Sequence, residues 1–149
     1  MKNIILILFS QSWLLVFGQE EKDSLGKTLA VMVLLETKQV VSGGDKGTPA
    51  EVLAFNIIYH LPNASQEYKD IYKNANVCGK FYCIIGLYLL KDTDYEKYKT
   101  DFLSIKDEKN IYFRAGCKVS ENYDKEKLLN DWINGIATNL WYTDILIKK

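Results

Sequence analysis

Phe81-Tyr82-Cys83-Ile84-Ile85-Gly86-Leu87-Tyr88-Leu89-Leu90 is the stretch on which the reading of the fold turns. Aromatic and branched residues occupy both of its alternating faces, a pattern that predicts a central strand covered on both sides. Such a strand needs helices to cover it, and the flanking sequence supplies them. Upstream, Thr48-Pro49-Ala50-Glu51 combines a Thr able to cap, a Pro with no N–H to lose at the first helical position, and a Glu three residues on to close a capping box. The helix it starts places Ala50, Leu53, Ala54, Ile57, Ile58 and Leu61 on one face and stops before Pro62. A weaker helical segment over Ser65 to Lys73 groups Tyr68, Ile71 and Tyr72 on one side. Downstream, Thr93-Asp94-Tyr95-Glu96 repeats the capping pattern, and Tyr95, Tyr98, Phe102 and Ile105 mark an amphipathic helix.

Working outward, Thr28 to Leu35 is a continuous apolar run whose length and β-branched residues suit a buried strand, although periodicity alone does not separate it from a helix. Val40-Val41-Ser42-Gly43-Gly44-Asp45-Lys46-Gly47 ends in a flexible loop. Ile111 to Cys117 alternates like a strand, with Ile111, Phe113, Ala115 and Cys117 on one face. A helix is expected from Tyr123, buried along Leu128, Leu129, Trp132, Ile133 and Ile136, and a closing strand over Trp141 to Ile147. Strands and helices in this order predict one α+β domain, its helices packed on a small mixed or antiparallel sheet.

The chain has 149 residues, no net charge and 48% hydrophobic residues, values of an ordinary globular domain large enough to bury a core without a metal. Met1 to Gly18 has the shape of a secretory signal peptide, with an early Lys2, apolar stretches Ile4–Phe9 and Trp13–Phe17, and small Gly18 at the cleavage position. The polar trio Ser10-Gln11-Ser12 interrupts a segment already short of a bilayer span, so no stable membrane span is expected after cleavage. The expected domain therefore covers residues 19–149 and is extracellular. Arg114 is the single arginine among the basic residues, which argues against a surface that reads nucleic acid through bidentate contacts.

Secretion gives weight to Asn63-Ala64-Ser65, a glycosylation sequon following Pro62, with Asn63 as the acceptor. It also gives weight to a disulfide. Three cysteines allow one internal bridge. On the strand reading Cys83 shares a face with Phe81, Ile85 and Leu87, and Cys117 with Ile111 and Phe113, so a Cys83–Cys117 bridge is expected, with Cys78–Cys117 as the competing pairing.

The chemistry carried by the sequence is sparse. His60 is the only histidine, and no Cys-x-x-Cys or His-x-x-x-His spacing is present, so neither a structural zinc, a cofactor, nor an imidazole-based catalytic set is expected. Glu51, Glu67, Asp70, Asp92, Asp94 and Glu96 supply carboxylates in number, yet nothing singles out two of them as an acid–base pair. Gly43-Gly44-Asp45-Lys46-Gly47-Thr48 lacks the order of a phosphate loop. The tyrosines Tyr68, Tyr72, Tyr82, Tyr88, Tyr95, Tyr98, Tyr112 and Tyr142 offer material for a ligand groove or for the edge of a core.

Gln39-Val40-Val41-Ser42-Gly43 resembles the Gln-x-Val-x-Gly hairpin of cystatins, secreted inhibitors that insert that hairpin into the cleft of papain-like proteases. In that family the hairpin follows the long helix, whereas here the motif precedes the expected one. Placed after the helix instead, the hairpin would fall at Ala75-Asn76-Val77-Cys78-Gly79, which keeps the Val and the Gly. The resemblance implies a binding loop drawn from Gln39, Val41, Gly43 and Gly79. The sequence as a whole points to a secreted, non-enzymatic binding domain for an extracellular protein or small ligand. A cystatin-like protease inhibitor and a small hydrolase using two carboxylates are the alternatives.

Overall fold

A computed structural model of the chain describes residues 24–42, 49–106, 110–115 and 118–137. The expected leader, Gly43, Cys117 and the expected closing strand lie outside the described residues. In chain order the elements are α1 (24–36), β1 (Val40–Ser42), α2 (Ala50–Tyr59), α3 (Ala64–Asn74), α4 (Val77–Leu89), α5 (Tyr95–Ser104), β2 (Asn110–Ala115), β3 (Lys118–Asp124) and α6 (Lys125–Ala137). The α+β class and the small mixed sheet are as expected, with helix outweighing strand among the described residues.

The decisive run corrects the strand reading: it is α4, a helix buried on every side. Asn76 starts it, its Oδ1 accepting from the Gly79 N–H at 3.1 Å, so a stretch read as loop is a cap. The end of α4 is closed by a pair of reversed bonds, the Lys91 N–H to the Tyr88 carbonyl and the Asp92 N–H to the Leu87 carbonyl, both 3.0 Å. Between them Phe81, Tyr82, Cys83, Ile84, Ile85 and Leu87 are inaccessible to solvent. A run apolar on all sides has no period to separate strand from helix, and the helix wins because it satisfies its own backbone and needs only side chains around it.

α1 likewise replaces the expected strand at Thr28 to Leu35. Ala30 and Leu34 face the core, while Leu25, Leu29 and Met32 stand exposed on the opposite face. The backbone of α1 approaches α4 closely: a Cβ at Gly79 would lie 2.1 Å from the Leu34 carbonyl oxygen. Asn76 adds to this contact, its Nδ2 donating to the Thr37 carbonyl at 2.7 Å.

α2, α3, α5, β2 and α6 lie where the sequence places helices and a strand. α2 is rotated from the expected face: Val52, Ala54, Phe55 and Ile58 are buried and Leu53 is exposed. α3 buries Tyr68, Ile71 and Tyr72 as expected. Thr48, the expected cap of α2, lies outside the described residues, and at the start of α5 Asp94 makes no side-chain cap. The Asp94 N–H instead donates to Asp92 Oδ1 at 2.8 Å.

The sheet has the order β1-β2-β3, β1 and β2 parallel with Val40 opposite Phe113, β2 and β3 antiparallel. β3 itself was not anticipated. The Val41 N–H donates to the buried Tyr82 hydroxyl at 2.9 Å, which ties β1 to α4. Lys125 enters the interior and donates to the carbonyls of Phe102 and Ile105 at 2.8 and 2.5 Å, holding the start of α6 against the end of α5. Trp132 of α6 then packs edge-on against Phe81 and Tyr82. No described helix is long and apolar enough to cross a membrane.

Candidate functional site

Of the residues expected to form a binding loop, Gln39, Val41 and Gly79 are described and Gly43 is not. Gly79 is buried inside α4 and cannot tip a hairpin. Val41 is buried, with its N–H given to Tyr82. Gln39 is half-buried and donates from Nε2 to Glu51 Oε1 at 3.4 Å. It borders a shallow cleft of about 330 Å³ with Lys38, Glu51 and Tyr112.

Cys83 carries a free thiol, buried in the core, and burial pushes that thiol up from its ordinary value. The argument that paired it with Cys117 loses its premise, because Cys83 lies on a helix rather than on a strand beside β2. Cys78, the competing partner, is also buried on α4. Asn63 is exposed immediately before α3, its Nδ2 donating to Glu67 Oε1 at 2.8 Å. His60 is exposed at the end of α2, edge-on to Tyr59.

The carboxylates are engaged in structural contacts. Glu67 pairs with Lys27 and Asp70 with Lys73, at 2.5 and 2.7 Å, and Lys69 bridges Asp92 and Asp94 at 3.0 and 2.6 Å. Burial works to raise the Asp92 carboxyl, but hydrogen bonds from Ser65, Lys69 and the Asp94 amide outweigh it and hold the group below the usual range. Lys73 and Gln66 do the same for Asp70. A general acid needs the opposite displacement.

A different set of side chains converges where α3, α4 and α5 meet. Tyr72, Lys73, Lys80, Lys97, Tyr98 and Asp101 line an open cleft of about 390 Å³. Each helix contributes from its solvent-facing edge. Tyr72 ends the buried stripe of α3, Lys80 is the single charged residue of α4, and Lys97, Tyr98 and Asp101 follow one another on α5. The floor is built from two tyrosines, rings edge-on with centroids 4.9 Å apart. The Tyr72 hydroxyl donates to Asp101 Oδ2 at 2.7 Å and orients that carboxylate. Burial first, and then the hydrogen bond to Asp101 and its charge, push the Tyr72 phenol up, so it remains a donor.

Above this floor the Lys80 ammonium lies 5.0 Å from the centre of the Tyr72 ring and the Lys97 ammonium 6.0 Å from that of Tyr98. The negative faces of the rings hold both cations over the cleft. Tyr72 and Tyr98 are among the tyrosines noted in the sequence, but the three lysines and Asp101 were not singled out. Their only sequence signal is a lysine inside an apolar run at position 80, an anomaly that marks a side chain reaching solvent from a buried helix. Among the described residues no group of three or more acidic, histidine or cysteine side chains is placed to hold a metal ion. Comparison with protein-family models, with curated proteins and with solved structures finds no match to this chain, the cystatins included.

Proposed function

We propose that the protein is a secreted, non-enzymatic binding domain that captures a small ligand in the cleft between α3, α4 and α5. The observation that carries this reading is the pairing of an aromatic floor with two lysines whose ammonium groups are held over it. Few convergent polar groups over an apolar base are what a ligand site requires. The downward displacement of Asp70 and Asp92 favours binding over acid–base chemistry. The burial of Gly79 and Val41 disfavours insertion of either cystatin-like loop.

Secretion rests on the composition of Met1 to Gly18 and on the exposure of the sequon Asn63. Expression of the full chain in a glycosylating secretory host is expected to release a protein beginning at Gln19 and bearing a glycan that Asn63→Gln removes. An amide-resolved NMR screen of neutral and charged fragments tests the site. Hits that shift Tyr72, Lys80 and Tyr98 are the expected result. Hits confined to the Lys38, Gln39, Glu51 and Tyr112 cleft would overturn it.

A further inference from the structure

Several lysines of the described surface are engaged by carboxylates. Lys27, Lys69, Lys73 and Lys99 each lie within 4 Å of one. Lys80 and Lys97 differ. Among the described residues no carboxylate stands within ion-pair distance of either, and what holds each is the face of a tyrosine ring. A third ammonium, Lys73, closes the rim, its charge shared with Asp70. The acid inside the lining, Asp101, is drawn toward the Tyr72 hydroxyl. The cleft therefore concentrates positive charge in a chain that is neutral as a whole.

From this arrangement we infer that the ligand of the cleft is an anion of phosphomonoester type, its phosphate held between Lys80 and Lys97 with Lys73 at the rim. Lysines bind phosphate as point charges, and three of them around one volume match a group that spreads about two negative charges over three oxygens. A monocarboxylate offers half that charge on two oxygens and leaves one lysine unused. The tyrosine rings hold the unoccupied ammonium groups over the cleft rather than extended into water. Less side-chain freedom is then lost when the anion arrives. The inference rests on the cleft being the binding site.

Three probes sharing one ring separate the charge from the site: phenyl phosphate, benzoate and phenol, titrated into the full mature chain and followed by amide shifts on α3, α4 and α5. Phenyl phosphate is expected to bind at least about tenfold more tightly than benzoate, and phenol most weakly. The double substitution Lys80→Gln with Lys97→Gln is expected to weaken phenyl phosphate by about tenfold or more while leaving phenol unchanged. Asp101→Asn removes a like charge and keeps an acceptor for Tyr72; it is expected to tighten phenyl phosphate severalfold, a gain that misfolding cannot imitate. If phenol shifts the cleft amides at the same concentration as phenyl phosphate, the phosphate assignment is overturned and the binding cleft stands. If phenyl phosphate leaves those amides unmoved, the assignment is overturned as well, and the fragment screen alone decides the site.

Discussion

Asp92 illustrates how much of this protein's order is decided by single side chains whose roles no motif announces. It sits just past the end of α4, takes hydrogen bonds from Ser65, Lys69 and the Asp94 amide, and is mostly buried. Its carboxyl is held below the ordinary value, so the folded state binds that proton less readily than the unfolded chain does. The stabilisation it provides is fully present above about pH 4, where the unfolded carboxyl is ionised, and fades as pH falls through the lower folded value. Asp92→Asn is therefore expected to flatten the loss of stability in acid. Urea unfolding at pH 7 and at pH 3 checks this, and an equal loss in variant and wild type would remove Asp92 from the account. In the sequence Asp92 is one of six undistinguished acids, since its partners Ser65 and Lys69 come from α3, more than twenty positions earlier, as well as from its own turn.

At the scale of elements, α4 shows why an apolar run misleads. Its helical character is written in its ends, the Asn76 cap and the reversed bonds after Leu89, and not in its interior. The terminal turn also carries a visible cost. Lys91 stands at the position where a helix most often ends in glycine, with φ of 53° in the left-handed region that a side chain disfavours. Lys91→Gly is expected to stabilise the protein by about 0.5–1 kcal/mol, read as a raised midpoint of urea unfolding with unchanged slope. A fall in the midpoint would mean that the lysine side chain contributes more than its strained backbone loses. Elements with a clear amphipathic period were legible: α3 buries Tyr68, Ile71 and Tyr72 as expected, and α6, which begins at Lys125 rather than at Tyr123, buries Leu128, Leu129 and Trp132, with Ile133 half-buried. Those without one, α1 and α4, were read as strands. β3, a polar segment Lys118–Asp124, becomes a strand because β2 stands beside it and supplies backbone partners.

Across the whole molecule, the parallel pairing of β1 with β2 joins strands separated by four helices, so it closes a long loop. Loop closure of that length is expected late, after α3, α4 and α5 have packed. Tyr82 reports on this step, because its hydroxyl satisfies the Val41 N–H from inside the helical core. Tyr82→Phe leaves that buried N–H without its acceptor and is expected to cost about 1–3 kcal/mol. The loss should fall almost wholly on the unfolding rate. Folding and unfolding rates across a denaturant series measure the division. A slowed folding limb of matching size would place the β1 contact in the nucleus instead.

From the residue order alone come the single α+β domain, the amphipathic helices α3 and α6, and the strand β2. These are local or compositional properties, fixed by periodicity and the supply of side chains. Only the folded chain decides that the runs at 28–35 and 81–90 are helices, that Gly79 admits a neighbouring backbone, and that Lys80 and Lys97 line one cleft with two tyrosine rings. Burial on every side erases the period that would distinguish helix from strand, and a cleft built from three separate helices exists only once the core has set their spacing.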